Sequence, residues 1–96
     1  MSRKGYWGVM LSVTDPEGYQ RYRDAIGDAI SSFGGRYLVR GGDVTNPEGS
    51  DLGRHVVVKF DTYETALNCY RSEACQRALK HRRAASTGHF AIVEGA

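Results

Sequence analysis

Arg36, Arg40, His55, Lys59 and His89 fall at alternate positions of three short stretches whose remaining positions are mostly apolar. Side chains of an extended strand point to opposite faces in turn. That spacing places all five on one side of a sheet, with Tyr6 and Ser12 of a fourth stretch beside them. Arginine presents a planar fork of donors that suits carboxylate or phosphate. Histidine exchanges a proton near neutral pH, which makes His55 and His89 the candidates for acid–base work. Arg36, Arg40, Lys59, Tyr6 and Ser12 would then line a site for a small anionic or enolic ligand. The competing reading is a solvated face, or charges paired across an interface with Glu48, Asp51 or Glu94.

Tyr22 and Arg82 form a second group. Both fall on apolar stripes of helical segments, so each carries a polar end toward the core. A buried guanidinium or phenol seeks a partner, because an unpaired polar group is expensive to desolvate. Either they snorkel or bond within the packing, or both tips reach a cavity mouth and orient a ligand.

Other chemistries find less support. His55, His81 and His89 lack the HExxH, paired CxxC or carboxylate spacing of a metal site, so no metal and no other cofactor is expected. Cys69 and Cys75 lie six apart in a helical region, poorly oriented for a bridge and without an evident activating neighbour. Free thiols fit a reducing cytoplasm. The pairs Gly34-Gly35 and Gly41-Gly42 match no dinucleotide or phosphate-loop pattern and read as turns. A net charge of +2 gives no electrostatic case for nucleic acid or an anionic membrane. The apolar run Trp7 to Val13 is far too short to span a bilayer and reads as a strand, not a signal peptide.

The elements that position these residues follow from periodicity. Ninety-six residues, 41% hydrophobic and 25% charged, suit one small domain over residues 1–96. Strands are predicted over Tyr6–Val13, Arg36–Arg40, His55–Phe60 and His89–Glu94. A first helix starts at Thr14-Asp15-Pro16-Glu17, capped by Asp15 with Pro16 first or by a Thr14–Glu17 capping box; it carries Tyr19, Tyr22, Ile26, Ala29, Ile30 and Phe33 on one stripe and ends at Gly34-Gly35. A second starts at Asp61 with Glu64 at capping-box spacing, breaks near Ser72, restarts with Ser72 as cap, and ends at Gly88. Gly41 to Gly53 reads as a turn or mobile loop, a lid by its glycine content, with a short strand near Val44. The order strand–helix–strand–strand–helix–strand predicts an α+β, ferredoxin-like βαββαβ fold with an antiparallel sheet.

One sheet face, with Trp7, Val9, Leu11, Val13, Tyr37, Val39, Val56, Val58, Phe60, Phe90 and Ile92, is coherent enough for the helices to cover. The other mixes the polar set with Met10, Leu38, Val57, Ala91 and Val93. So large an apolar patch favours cover by a second copy, since two such sheets pack face to face. A homodimer with a small-molecule cavity between sheet and partner is expected. The ferredoxin-like order also occurs in RNA-recognition modules, but those stack bases on aromatics of central strands. Here His55, Val57 and Lys59 stand in those places, and no nucleic-acid partner is expected.

Several stretches resemble a family. They are Tyr6-Trp7, Asp15-Pro16-Glu17-x-Tyr19-x-x-Tyr22, the run Phe33 to Gly42, Val56 to Phe60, Tyr70-Arg71-Ser72-Glu73, Arg82-x-x-Ala85 and Ile92-Val93-Glu94-Gly95. Together they resemble the bacterial domain-of-unknown-function family 1330, in the dimeric α+β barrel superfamily. The resemblance spans nearly the whole chain and is most specific in Gly34 to Gly42. It implies a ferredoxin-like protomer whose sheet pairs with a twin to enclose a barrel. Wider relatives include cofactor-free monooxygenases, muconolactone-type isomerases and haem-dependent chlorite dismutases. No catalytic residues are carried over, because the family has no established set. Cys75 stands where an aromatic residue is frequent and Asp61 where proline is common; both lie in the second helical block.

Three functions fit these readings. One is a cofactor-independent enzyme of proton transfer or oxygenation, the second a non-catalytic small-molecule-binding or stress-associated module, and the third a structural dimer without a ligand.

Overall fold

Three of the four strand-forming segments pair where their alternation predicts, and the second departs from it partway along. The structure, a computed structural model, describes residues 3–96. The elements are β1 (Gly5–Val13), α1 (Pro16–Ser32), β2 (Arg36–Arg40), β3 (Arg54–Phe60), α2 (Tyr63–Arg71), α3 (Glu73–Ala85) and β4 (Ser86–Glu94). The sheet order is β2-β3-β1-β4, with every neighbouring pair antiparallel. This is the ferredoxin-like arrangement, with the helices on one face of the sheet.

Trp7 anchors the layer between sheet and helices. Its ring centroid lies 5.1 Å from that of Phe60 and 5.2 Å from that of Phe90. Its indole N–H donates to the carbonyl of Ala66 at 3.0 Å, so the buried ring leaves no polar atom unpaired. Leu11, Ile26, Val58 and Leu79 belong to the same core, each fully buried. Burial of such side chains stabilises by roughly 1.5–3 kcal/mol each.

The helix ends show where local chemistry decides. Pro16 opens α1, and Asp15 occupies the cap position with extended backbone but no side-chain cap bond. At the other end Gly34 takes φ +72. Its N–H donates to Ser31 O at 3.0 Å, and that of Gly35 to Ile30 O at 2.9 Å. These paired bonds are the glycine-terminated helix stop. The break at Ser72 is as expected: its Oγ accepts from the Cys75 N–H at 3.2 Å and donates to the Cys69 carbonyl at 2.7 Å.

Five expectations are corrected. Thr62, not Asp61, caps α2, accepting from the Thr65 N–H at 3.0 Å, so no Asp61–Glu64 capping box forms. No strand forms near Val44. The last helix stops at Ala85, and β4 begins at Ser86 with Gly88 inside it. Gly88 has φ +145, and a Cβ there would collide with the Met10 carbonyl oxygen, so this glycine permits close strand approach rather than ending a helix. The last two corrections concern β2. Tyr37 pairs with Val58, but Val39 pairs with Val57 and Arg40 with Val56, leaving Leu38 as an extra residue. This bulge turns Val39 to the open face and Arg40 to the helix face, the reverse of simple alternation.

Candidate functional site

The open face carries the expected polar set apart from Arg40, spread along its length. Register places Arg36, Lys59, Tyr6 and Val93 in one row across the sheet. Val39, Val57, Gly8 and Ala91 form the next row, then His55, Met10 and His89, then Ser12 and Thr87. An apolar row therefore separates Arg36 and Lys59 from the histidines. Four residue steps separate the levels of Lys59 and His55, about 13 Å along a strand. A single small ligand does not span that distance and also reach Ser12. His55 has a local role: its Nε2 lies 3.2 Å from the Leu52 carbonyl, which only accepts, so the ring donates and ties down the end of the loop. Asn46 Nδ2 donates to the same carbonyl at 3.1 Å. His89 is exposed.

A different set converges on the helix side. Along α1, Tyr19, Tyr22, Arg23, Ile26 and Ile30 share one face by helical spacing. Opposite them stand Tyr37 and Arg40 of β2 and Arg54, Val56 and Val58 of β3, with Trp7 and Val9 of β1 as floor. The cleft so enclosed is narrow, with about 20 Å³ of room, enough for a single water. A flat ligand would therefore lie in the mouth, against the tyrosines, rather than sink into the floor.

The charges of this cleft are uncompensated. Arg40 stacks on Tyr37 with its guanidinium carbon 4.6 Å from the ring centroid, and Arg54 lies 5.4 Å from that of Tyr19. Tyr19 and Tyr22 rings are 5.5 Å apart. The Nε atoms of Arg23 and Arg54 are buried without a hydrogen-bond partner. Three ion pairs occur among the described residues, Arg3–Glu94, Lys4–Asp61 and Arg77–Glu73, and none includes Arg23, Arg40 or Arg54. Burial raises the phenol pKa of Tyr22, opposed by the charge of Arg82, and that of Tyr37, opposed by Arg40. Both phenols are thus protonated donors at neutral pH. The lining holds no histidine, lysine or carboxylate. Such a site attracts and orients an anion, and its donors can hold a developing oxyanion, but it offers no general base.

Of the sequence candidates, Tyr22 and Arg40 reach this cleft, while Arg36, Lys59, Tyr6, Ser12, His55 and His89 do not. Arg82 is buried nearby, its guanidinium carbon 5.0 Å from the Phe90 ring centroid. Tyr19, Arg23, Tyr37 and Arg54 are the lining residues the sequence reading passed over. Two carried a signal. Arg54 continues the inward series Val56, Val58, Phe60 by one step, and Arg23 lies four residues from Tyr19 and three from Ile26 on the buried stripe.

Among the described residues, no group of three His, Cys, Asp or Glu side chains is placed to hold a metal ion. Likewise, no helix there is long and apolar enough to cross a membrane. Cys69 and Cys75 are free and buried, and burial pushes their thiols up to about 12 and about 11.

Comparison with solved structures gives the fold. The chain is similar to the RPA0582 protein of unknown function from Rhodopseudomonas palustris, at 14% identity and TM-score 0.78, over 100% of this chain and 85% of that one. It is similar to SnoaB, a cofactor-independent oxygenase from Streptomyces nogalater, at 9% identity and TM-score 0.59, over 99% and 95% of the two chains. It is also similar to a dimeric protein of unknown function and ferredoxin-like fold from Bacteroides fragilis, at 12% identity and TM-score 0.56, over 96% of each. Identities this low speak for the fold alone. No protein of curated function matches the sequence. The family model described as Domain of unknown function (DUF1330) matches residues 4–96, and the chain belongs to that family.

Proposed function

We propose that this chain is a homodimeric, cytoplasmic small-molecule-binding protein that takes a planar anion, an aromatic or enolic carboxylate, in the cleft beneath α1. The observation that carries this reading is the trio Arg23, Arg40 and Arg54 around tyrosine faces with no carboxylate in the lining. Guanidinium forks match a carboxylate, and the tyrosine faces and apolar floor match a flat ring. Because the lining contains no base, a substrate that its side chains alone turn over must arrive already ionised. A binding role needs no such condition and is the simpler form of the proposal.

The dimer rests on the open face. Met10, Leu38, Val39 and Val93 are 41%, 56%, 40% and 51% exposed, an apolar set that a second sheet would cover. The description of the Bacteroides fragilis protein as dimeric favours the same assembly. Light scattering should give twice 10.6 kDa, and Leu38→Glu with Val93→Glu should give the monomer. The two buried free cysteines fit a reducing compartment.

Calorimetric titration with salicylate and with salicylamide, its uncharged counterpart, tests the ligand class. Saturable binding of the carboxylate that weakens with added salt, and none of the amide, is the expected result. Equal binding of both would refute an anion site.

A further inference from the structure

Arg82 is the one charged side chain that the fold buries among the described residues, at 8% exposure. It takes part in none of the ion pairs there, and its Nε has no hydrogen-bond partner. Its charge is felt by Tyr22 and Cys75, but burial keeps both in their neutral forms at neutral pH, so neither supplies a counter-charge. The Phe90 face offers a cation–π contact at 5.0 Å and no hydrogen bond. A buried guanidinium without an anionic partner is a costly arrangement.

A cleft of about 200 Å³ opens beside it, between the last turn of α3 and the start of β4. Its walls are Arg82, Arg83, Ser86, Thr87 and Gly88, with Leu11 beneath, and no carboxylate lines it. Two of the carbonyls at the end of α3, which would repel an anion, are engaged elsewhere. Arg82 O accepts from Ser86 Oγ at 2.7 Å, and Ala85 O accepts from the N–H groups of Thr14 and Asp15 at 2.8 and 3.0 Å. The carboxylate of Asp15 forms no ion pair with either arginine. Arg82 is absent from the lining of the α1 cleft, so the two sites are separate.

We propose that the cleft between the end of α3 and the start of β4 binds a tetrahedral oxyanion, a phosphate group, on the guanidinium of Arg82. Arg83 and the Thr87 hydroxyl add donors from the helix and strand sides. Donors from several directions suit a tetrahedral anion better than a flat carboxylate. The group is either free phosphate or the end of a phosphomonoester.

The test is an amide-resolved NMR titration of the full chain with inorganic phosphate against chloride at matched ionic strength. Saturable shifts should centre on Arg82 to Gly88. Exposed Arg83→Ala should weaken binding about tenfold, the effect of losing one charge-assisted bond. Arg82→Met should abolish saturable binding, and Arg40→Gln should leave it intact. If Arg82→Met does not fold, Arg83→Ala combined with Thr87→Val decides in its place. Phenyl phosphate binding tighter than phosphate supports the site with a phosphomonoester as ligand; weaker binding supports it with the free anion. The proposal is overturned if phosphate acts no differently from chloride. It is overturned equally if the shifts centre on Tyr37, Arg40 and Arg54 and vanish in Arg40→Gln.

Discussion

The guanidinium carbon of Arg40 stands 4.6 Å from the centroid of the Tyr37 ring, on the helix side of the sheet. In a regular strand, residues three apart face opposite ways. The two meet because Leu38 has no register partner on β3, so that Tyr37 and Arg40 lie opposite Val58 and Val56. One bulged residue thereby moves a cation from the open face into a cleft that already holds Arg23 and Arg54.

Arg40 and Arg36 should accordingly behave differently, although simple alternation puts them on one face. Arg40→Gln is expected to weaken salicylate binding by roughly tenfold, the equivalent of about 1.4 kcal/mol. Arg36→Gln, exposed and paired with Lys59 on the other face, should leave it unchanged. Calorimetry on both variants checks this, and equal losses would place the ligand elsewhere.

Ser72 closes the gap between α2 and α3 with two bonds from one hydroxyl. Ser72→Ala is expected to lower stability by about 1 kcal/mol, as for other helix caps. Urea unfolding measures it directly, and an unchanged midpoint would show that the tertiary packing alone sets the break.

Two glycines should respond oppositely to alanine. Gly88 has φ +145 and backbone from β1 where its Cβ would go, so Gly88→Ala should cost more than about 3 kcal/mol or prevent folding. Gly27 lies inside α1 with nothing within 4 Å of a Cβ. Gly27→Ala should therefore stabilise by about 0.5–1 kcal/mol. Denaturant curves for the pair separate close approach from helix propensity.

Alkaline pH should destabilise the fold. The thiols of Cys69 and Cys75 titrate at about 12 and about 11 in the folded protein, raised by burial from 9.0. Below pH 9 both states hold these protons and the thiols add no pH dependence. Above it the unfolded chain releases them first, so stability falls as pH rises toward the folded values, by up to about 1.4 kcal/mol per unit for each group. The raised Tyr22 phenol acts in the same direction. Urea midpoints at pH 8.5, 9.5 and 10.5 should be flat and then decline, with a shallower decline in Cys69→Val; an even profile would contradict the burial argument (~1 pH-unit steps suffice to resolve it).

How legible all this is in the sequence depends on the range of the interactions that decide it. Ser72 and Gly34 act within one helical turn, so their residue types announce the break and the stop. The inward series of β1 and β3 is regular, and Trp7, Val9, Val56 and Val58 lie where alternation puts them. The fate of Arg40 depends on a bulge set by pairing with β3, beyond a loop of no regular structure, and nothing local signals it. The same holds at Gly88, whose need for glycine comes from the Met10 carbonyl across the sheet. Simple alternation consequently puts Arg40 on the wrong face, while Tyr22 and Arg82 are legible because a polar group on an apolar stripe is unusual at any range.

Intermolecular NOEs from the ring protons of bound salicylate test the central claim most directly, because each sheet face carries its own methyl groups. The account predicts contacts to Ile26, Val56 and Val58 in the cleft beneath α1. Contacts to Met10, Val57 and Val93 instead would put the ligand on the open face, between subunits, and contradict it.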